Sequence, residues 1–396
     1  MRYQVELDSA QDLPGDIFFE KAGPRERIFF KPGAARAAVV TCGGLCPGLN
    51  NVIRSAVLEL HYNYGVRNVL GIRYGYAGLN PKVGLPPMRL TPEVVSDIQE
   101  EGGSILGTSR GPQDTRVIVD FLARRRINIL LCVGGDGTLR GARDIAIEAR
   151  RLGLVLAVVG VPKTIDNDVM YVTRTFGMTT AVAVASWVLD GAHAEARSVD
   201  NGIGLVKVMG RHAGFIAAGA TLASQEVNYC LIPEVPFALK GRKGLIETLR
   251  RRLERKRHAV ILVAEGAGQD LIPARPDGSD ASGNKRLGDI GVFLKDQICA
   301  HFKRIGAPVD VKYFDPSYVV RSVAANSEDA LLCDQLARHA VHAAMAGRTN
   351  MLIGLWNGAF THLPIPLAVS EKKQVDPEGR LWASVLAATG QPRVWE

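Results

Sequence analysis

Short apolar runs alternate along this chain with longer stretches whose apolar residues recur every three or four positions. AAVVT at 37–41, INILLCV at 127–133 and LVLAVVGV at 154–161 read as buried strands, and NVIRSAVLELHYNY at 51–64 and LRGARDIAIEARRLG at 139–153 as amphipathic helices. The second half repeats the alternation. IGLVKVMG, YCLIPEV, HAVILVAEG and VKYFD are its strand candidates, separated by the helix-like GFIAAGATLAS, GLIETLRRRLERK and SEDALLCDQLARHAVHAAMAG, and NMLIGLWNG is a late strand that returns to one of the sheets. Strands alternating with helices predict an α/β fold of two doubly wound, mainly parallel, Rossmann-like lobes, with ligands bound in the cleft beyond the strands' carboxyl ends.

The expected bounds are an N-terminal extension at 1–36, a first lobe at 37–162, a second lobe at 163–325, and a C-terminal helix-and-strand segment at 326–396 that returns to the lobes. Residues 1–36 carry Pro14, Gly15, Pro24, Pro32 and Gly33 without a sustained period, and are expected to pack on the lobes or on a partner chain. Residues 268–289, GQDLIPARPDGSDASGNKRLGD, are the longest polar interruption and read equally as a flap over a site or an exposed insertion.

Composition supports a globular protein, because 396 residues exceed one ordinary core and 47% of them are hydrophobic. The net charge of +8 includes the runs Arg124–Arg126 and Arg250–Arg252, which lie in segments with periodic apolar residues and read as solvated helix faces rather than a nucleic-acid patch. Six cysteines do not suggest a disulfide framework, and Cys42 and Cys46 lack a second metal-ligating pair. No stretch reaches the roughly eighteen apolar residues of a membrane span, and neither end carries a simple targeting signal, so no membrane partner and a cytoplasmic location are expected.

Chemistry concentrates where strands end. Thr41–Gly44 with Pro47–Gly48, the turn Gly134–Thr138, and Gly102–Ser104 leading into GTSRG are three glycine-bearing turns expected to follow strands and bring main-chain amides close to phosphate. Asp136, flanked by glycines, is suited to a magnesium ion, and its plainer reading is a turn aspartate bonded to its own backbone. Thr164-Ile165-Asp166-Asn167-Asp168 would, if extended, place two carboxylates on one side, raising the proton affinity of one so that it serves as a base. An Asx-turn or helix cap is the alternative. Lys163 supplies a cation beside them. Arg211, in Met209-Gly210-Arg211, suits a transferring phosphoryl group or a surface ion pair, Glu265 suits sugar hydroxyls, and Arg110 and Arg321 suit phosphate.

Together TCGGLCPGLN, GTSRG, GGDGT, PKTIDND, MGRHAG, VAEG and DPSYVVR resemble the phosphofructokinase family in content and order, over residues 37–360. GGDGT alone does not distinguish it from NAD kinases or lipid kinases. PKTIDND together with MGR does. The resemblance implies phosphoryl transfer to the 1-hydroxyl of fructose 6-phosphate with Mg2+, by a homotetramer or else a dimer. It implies Asp166 as base flanked by Thr164 and Asp168, with Asp136 on the metal. Donor phosphates would meet Gly44, Arg110, Gly111, Gly135, Gly137 and Thr138. The sugar phosphate would meet Thr164, Ile165, Asp166, Met209, Gly210, Arg211, Glu265, Lys312, and Tyr318, Val319, Val320 and Arg321.

The donor is the divided question. In the family, glycine after the metal aspartate leaves room for the α-phosphate of ATP, and Gly137 stands there. Lys163 stands where pyrophosphate-using members have lysine and the familiar bacterial ATP enzymes have glycine. The pair resembles an ATP-dependent subgroup that includes trypanosomatid enzymes, so ATP is expected and a pyrophosphate-dependent phosphotransferase is the rival. A non-catalytic subunit that senses sugar phosphate is the alternative from a different class. Gly202 stands in place of the arginine that bacterial enzymes lend to a neighbouring subunit. Val227 and Leu58 replace two residues of their effector site, although Arg54 is retained, so bacterial-type effector control is not expected. Tyr318 and Lys312 replace a histidine and an arginine of the sugar-phosphate pocket.

Overall fold

The computed structural model describes residues 19–273, 278 and 286–396. In chain order its strands are β1 (Glu20–Lys21), β2 (Arg36–Thr41), β3 (Asn68–Ile72), β4 (Met88–Arg89), β5 (Ile129–Gly134), β6 (Ala157–Pro162), β7 (Gly202–Val208), β8 (Tyr229–Leu231), β9 (His258–Ala264), β10 (Asp310–Phe314), β11 (Met351–Trp356) and β12 (Ala359–Pro364). The helices are α1 (Leu49–Leu58), α2 (Thr115–Arg124), α3 (Asp136–Arg151), α4 (Met178–Arg197), α5 (Phe215–Ser224), α6 (Leu245–Lys256), α7 (Ile290–Arg304), α8 (Val319–Ser322), α9 (Ser327–Met345), α10 (Ile365–Ala368) and α11 (Arg380–Thr389).

Two sheets organise these elements, in the orders β1-β12-β11-β6-β5-β2-β3-β4 and β10-β7-β9-β8. In the first, β11, β6, β5, β2 and β3 run parallel and antiparallel pairs flank them. The second is parallel throughout. The strands β5 and β6 are apolar at every position because both faces are covered: Ile129, Leu131 and Val133 enter one core while Leu130 and Cys132 enter another. Each such aliphatic side chain contributes roughly 1.5–3 kcal/mol by leaving water.

Register positions the cleft. Thr41 lies opposite Val133 and Gly134 opposite Pro162, so the loops after β2, β5 and β6 leave the sheet side by side. Three of the long helices begin on a side-chain cap, and the others on a glycine. Asp114 caps α2, Asp289 caps α7 and Asn326 caps α9. At α3 the capping position is Gly135, which supplies no side chain, and the first-turn amides are left open at the sheet's carboxyl edge.

The C-terminal segment serves both lobes. The helix α9 packs on α1 and the first sheet, β11 and β12 extend that sheet, and α11 lies against α5 and β8. At the other end β1 pairs with β12, and Phe19 meets the rings of Tyr171 and Trp356. Residues 1–18 of the N-terminal extension lie outside the described residues, as do 274–277 and 279–285 of the polar interruption. The described flanks of that interruption are closed by Gln269, whose side-chain amide donates to the carbonyls of Glu265 and Gly288 and accepts from the Gly288 amide.

Within the arginine runs, Arg124 pairs with Asp120, Arg250 with Glu247 and Glu254, and Arg251 with Glu247, whereas Arg125 and Arg126 follow the end of α2 and Arg252 donates to His258 O. Cys42 and Cys46 are buried, and burial pushes each thiol up to about 12, as suits packing groups. Gly102–Ser104 corrects an expectation. It follows a 3-10 turn at Ile98–Glu100 and not a strand, and reaches the cleft only because Ser104 and Gly107 are bonded to Thr41 at the end of β2.

Candidate active site

The loop after β6 is a turn and not the extended segment expected from its sequence. The Thr164 hydroxyl donates to Asp168 Oδ1 at 2.8 Å and accepts from the Asp166 amide at 3.2 Å. Local bonding of this kind competes with extended backbone. Asn167 takes φ 57°, in the left-handed region, held there by the Thr175 amide donating to its Oδ1 and by its own amide donating to Thr173 O. The turn aims Asp166 across the cleft, where Oδ2 lies 3.5 Å from the Arg211 amide. Its other oxygen, Oδ1, is enclosed and has no hydrogen-bond partner.

An enclosed carboxylate oxygen without a donor favours the protonated form. Burial raises the pKa of Asp166 to about 7, the negative charges of Asp168 and Glu265 push the same way, and the Arg211 amide and Lys372 oppose them. Neighbouring like charge was the expected cause, and burial is the larger one. Glu265 is also raised, again by burial first and against the pull of Arg211 and Lys207.

The donor side is assembled from loops of the first lobe. Lys163 is buried, its amide donates to Gly134 O, and its ammonium donates to Gly44 O at 2.5 Å. Burial lowers its pKa, as do the charges of Arg110 and Arg321, so three cations face one region beside Gly43 and Gly44. Arg110 lies so close that a Cβ on Gly44 would stand 3.3 Å from its guanidinium. The neighbouring Gly111 has φ 99°, a conformation that favours glycine. Beyond Gly135, the buried Thr138 anchors the start of α3, its carbonyl accepting from the Tyr76 hydroxyl at 2.6 Å. A Cβ on Gly137 would meet nothing within 4 Å.

On the other wall, Met209–Arg211 leave β7 beside Glu265 at the end of β9, joined by Glu265 N to Val208 O and Gly266 N to Gly210 O. Gly266 is required there, because a Cβ would stand 2.0 Å from Arg211 O. Arg321 stacks its guanidinium on the ring of Tyr318 at 4.5 Å. Tyr318 and Val319 are exposed and Val320 is buried. Ile165 is buried in the core under the turn.

Two further expectations need correction. Lys312 does not join this constellation within the chain: its ammonium pairs with Asp310 at 3.0 Å on the outer strand of the second sheet. Nor is Asp136 without a side-chain partner, because Lys372 Nζ lies 2.7 Å from its Oδ2 and 2.5 Å from Asp168 Oδ2. The sequence reading missed Lys372. It also missed Glu234, which accepts from the amides of Gly214 and Val375. Lys372 lies in an irregular segment with no period, and Glu234 lies in YCLIPEV, read as a strand that in fact ends at Leu231.

The two carboxylates that converge on the Lys372 ammonium are hard oxygen donors on separate loops, a set that fits a magnesium ion also held by water and substrate phosphates. Among the described residues no group of three His, Cys, Asp or Glu could hold a metal by itself.

Comparison with known proteins adds to this geometry. Residues 36–344 match the family model described as Phosphofructokinase. The chain is 51% identical over 383 residues to an ATP-dependent 6-phosphofructokinase of Borreliella burgdorferi, covering 95% of this chain and 86% of that one. It is 48% identical over 380 residues to an ATP-dependent 6-phosphofructokinase of Amycolatopsis methanolica, covering 94% of this chain and 83% of that one. In fold it is similar to a crystal structure of the pyrophosphate-dependent phosphofructokinase of Marinobacter aquaeolei, with a TM-score of 0.73 at 18% identity over 91% of this chain and 92% of that one.

Proposed function

The chain belongs to the phosphofructokinase family, and on that premise we propose that Asp166 takes the proton from the 1-hydroxyl of fructose 6-phosphate as ATP transfers its terminal phosphoryl group. The enzyme is an ATP-dependent kinase acting on fructose 6-phosphate in glycolysis. The observation that carries the role of Asp166 is its enclosed, unpartnered Oδ1 on a carboxyl whose pKa is about 7. The proton affinity of such a carboxyl suits a base working near neutral pH.

The remaining groups divide between the two substrates. Thr164 and Asp168 hold the turn that aims Asp166, the first-turn amides of α3 at Asp136–Thr138 and the Gly44–Arg110–Gly111 region receive donor phosphates, and Lys163 adds charge between them. Arg211, Arg321, Glu265, Met209, Gly210 and Tyr318 receive the sugar phosphate, with Arg211 closest to the group in transit. Asp136, with Asp168 opposite, would hold Mg2+, which when bound neutralises the phosphate oxygens. Positioning and charge do most of the work, because a loose phosphoryl transfer asks little of the base.

Gly137 supports ATP over pyrophosphate, since the space beyond its Cα is free for an α-phosphate. The purified chain with fructose 6-phosphate and Mg2+ is expected to form fructose 1,6-bisphosphate with ATP, and with pyrophosphate at a much lower rate. A rate with pyrophosphate equal to that with ATP would overturn the donor assignment. Among the described residues no helix is long and apolar enough to cross a membrane, and a cytoplasmic homotetramer is the proposed working state. Trp187 on α4, 75% exposed in the single chain, supports an interface.

A further inference from the structure

Lys372 belongs to none of the motifs that face the substrates, yet it makes the central ion pairs of the cleft. The segment that carries it, residues 369–379, crosses from α10 beside the first sheet to α11 beside the second. Backbone contacts fix the lysine in place. Lys372 forms an antiparallel bridge with Val169, the Lys373 amide donates to Asp168 O at 3.1 Å, and the Lys373 ammonium donates to the carbonyls of Val172 and Thr173. Farther along, the Gln374 side chain donates to His212 O and the Val375 amide to Glu234. The ammonium is therefore not a mobile surface charge. It is presented to two carboxylates, Asp136 from the start of α3 and Asp168 from the loop after β6, whose side chains are only 15% and 6% exposed.

Two enclosed carboxylates facing each other repel strongly unless a cation lies between them. Lys372 is the cation that reaches both, whereas Arg140 reaches only Asp136, at 3.9 Å. Lys372 engages Oδ2 of both groups, so a magnesium ion held by these carboxylates would compete with it for the same oxygens. An octahedral Mg2+ needs its oxygens at about 2.0–2.1 Å, and an ammonium hydrogen-bonded to the same oxygens leaves no room for it and repels it.

We propose that Lys372 is a resident counterion that competes with the divalent cation for Asp136 and Asp168 and gives way when the metal arrives. It is a positioning residue: before loading it holds the two carboxylates together, and on loading its ammonium leaves them to the metal while the backbone contacts keep the segment in place. This inference rests on the assignment of the metal to Asp136.

Mn2+ binding to the protein without nucleotide or sugar, followed by electron paramagnetic resonance, tests the competition without reference to turnover. Lys372→Met is expected to bind Mn2+ roughly fivefold or more tightly than the wild type, because the competing charge is gone. Lys372→Arg, which keeps the charge, should bind no more tightly than the wild type. Lys372→Gln serves as the neutral variant should the methionine protein not fold. Equal affinity in the neutral variants and the wild type would overturn the competition while leaving the metal assignment standing. Tight binding that survives Asp136→Asn in the Lys372→Met background would overturn the metal assignment, and the competition with it.

Discussion

Asp166→Asn is expected to lower turnover by about 10²–10⁴-fold, the range that a positioned general base supplies. Affinity for fructose 6-phosphate should change little. The amide is nearly isosteric with the carboxyl, the Thr164 bonds that shape the turn do not use the Asp166 side chain, and the arginines that would hold the sugar phosphate are untouched. Steady-state kinetics with fructose 6-phosphate varied at saturating ATP separates the two effects, since a drop confined to kcat means an interaction made in the transition state was removed. The same substitution should stabilise the unloaded protein above neutral pH. The folded-state pKa of Asp166 is raised from 3.8 to about 7, so its contribution to stability is fully present below 3.8 and lost as pH rises through 7. At pH 8 the wild type holds an enclosed, unfavourable carboxylate at a cost on the order of 4 kcal/mol, and a neutral amide avoids it. Thermal melts of both proteins at pH 8 should place the variant higher.

Gly137→Asp should abolish most ATP use. The new side chain meets no protein atom that would unfold it, because the space beyond the Gly137 Cα is open. It projects from the first turn of α3 into open space, the region proposed for the donor. A carboxylate there both occupies the place of the α-phosphate and repels it, and a like-charge contact costs several kcal/mol, so kcat/KM for ATP is expected to fall by about 10²–10³-fold. A rate with pyrophosphate, which brings no α-phosphate, should not fall in parallel. Side-by-side assays with the two donors check this, and undiminished ATP use would show that Gly137 does not set the donor.

Both expectations depend on features that the sequence displayed unevenly. The apolar runs that became β5, β6 and β9 were legible because strands covered on both faces leave no room for polar residues, and the residues that end them, Gly134, Lys163 and Glu265, were therefore placed at the cleft. The shape of the loop after β6 was not. Its alternating carboxylates invite an extended reading, but a threonine hydroxyl can bond the amide two residues on and the aspartate four residues on, and no pattern of hydrophobicity records that choice. Lys372 was invisible for a different reason. A lysine in an irregular segment is ordinarily solvated, and only the path of residues 369–379 between the lobes brings it to Asp136 and Asp168. Lys312 is a different case, since the resemblance implies it at the sugar phosphate and within the single chain it pairs with Asp310 on the outer strand.

The central claim is that ionised Asp166 is the base, and the pH dependence of kcat/KM tests it most directly because that ratio reports the ionisation of the free enzyme. The protonated carboxyl cannot accept the sugar's proton, so the rate should rise with pH through a single ionisation near 7, and the residual activity of Asp166→Asn should be flat across the same window. An unchanged ionisation near 7 in the asparagine variant, or a wild-type rate that does not vary there, would contradict the account.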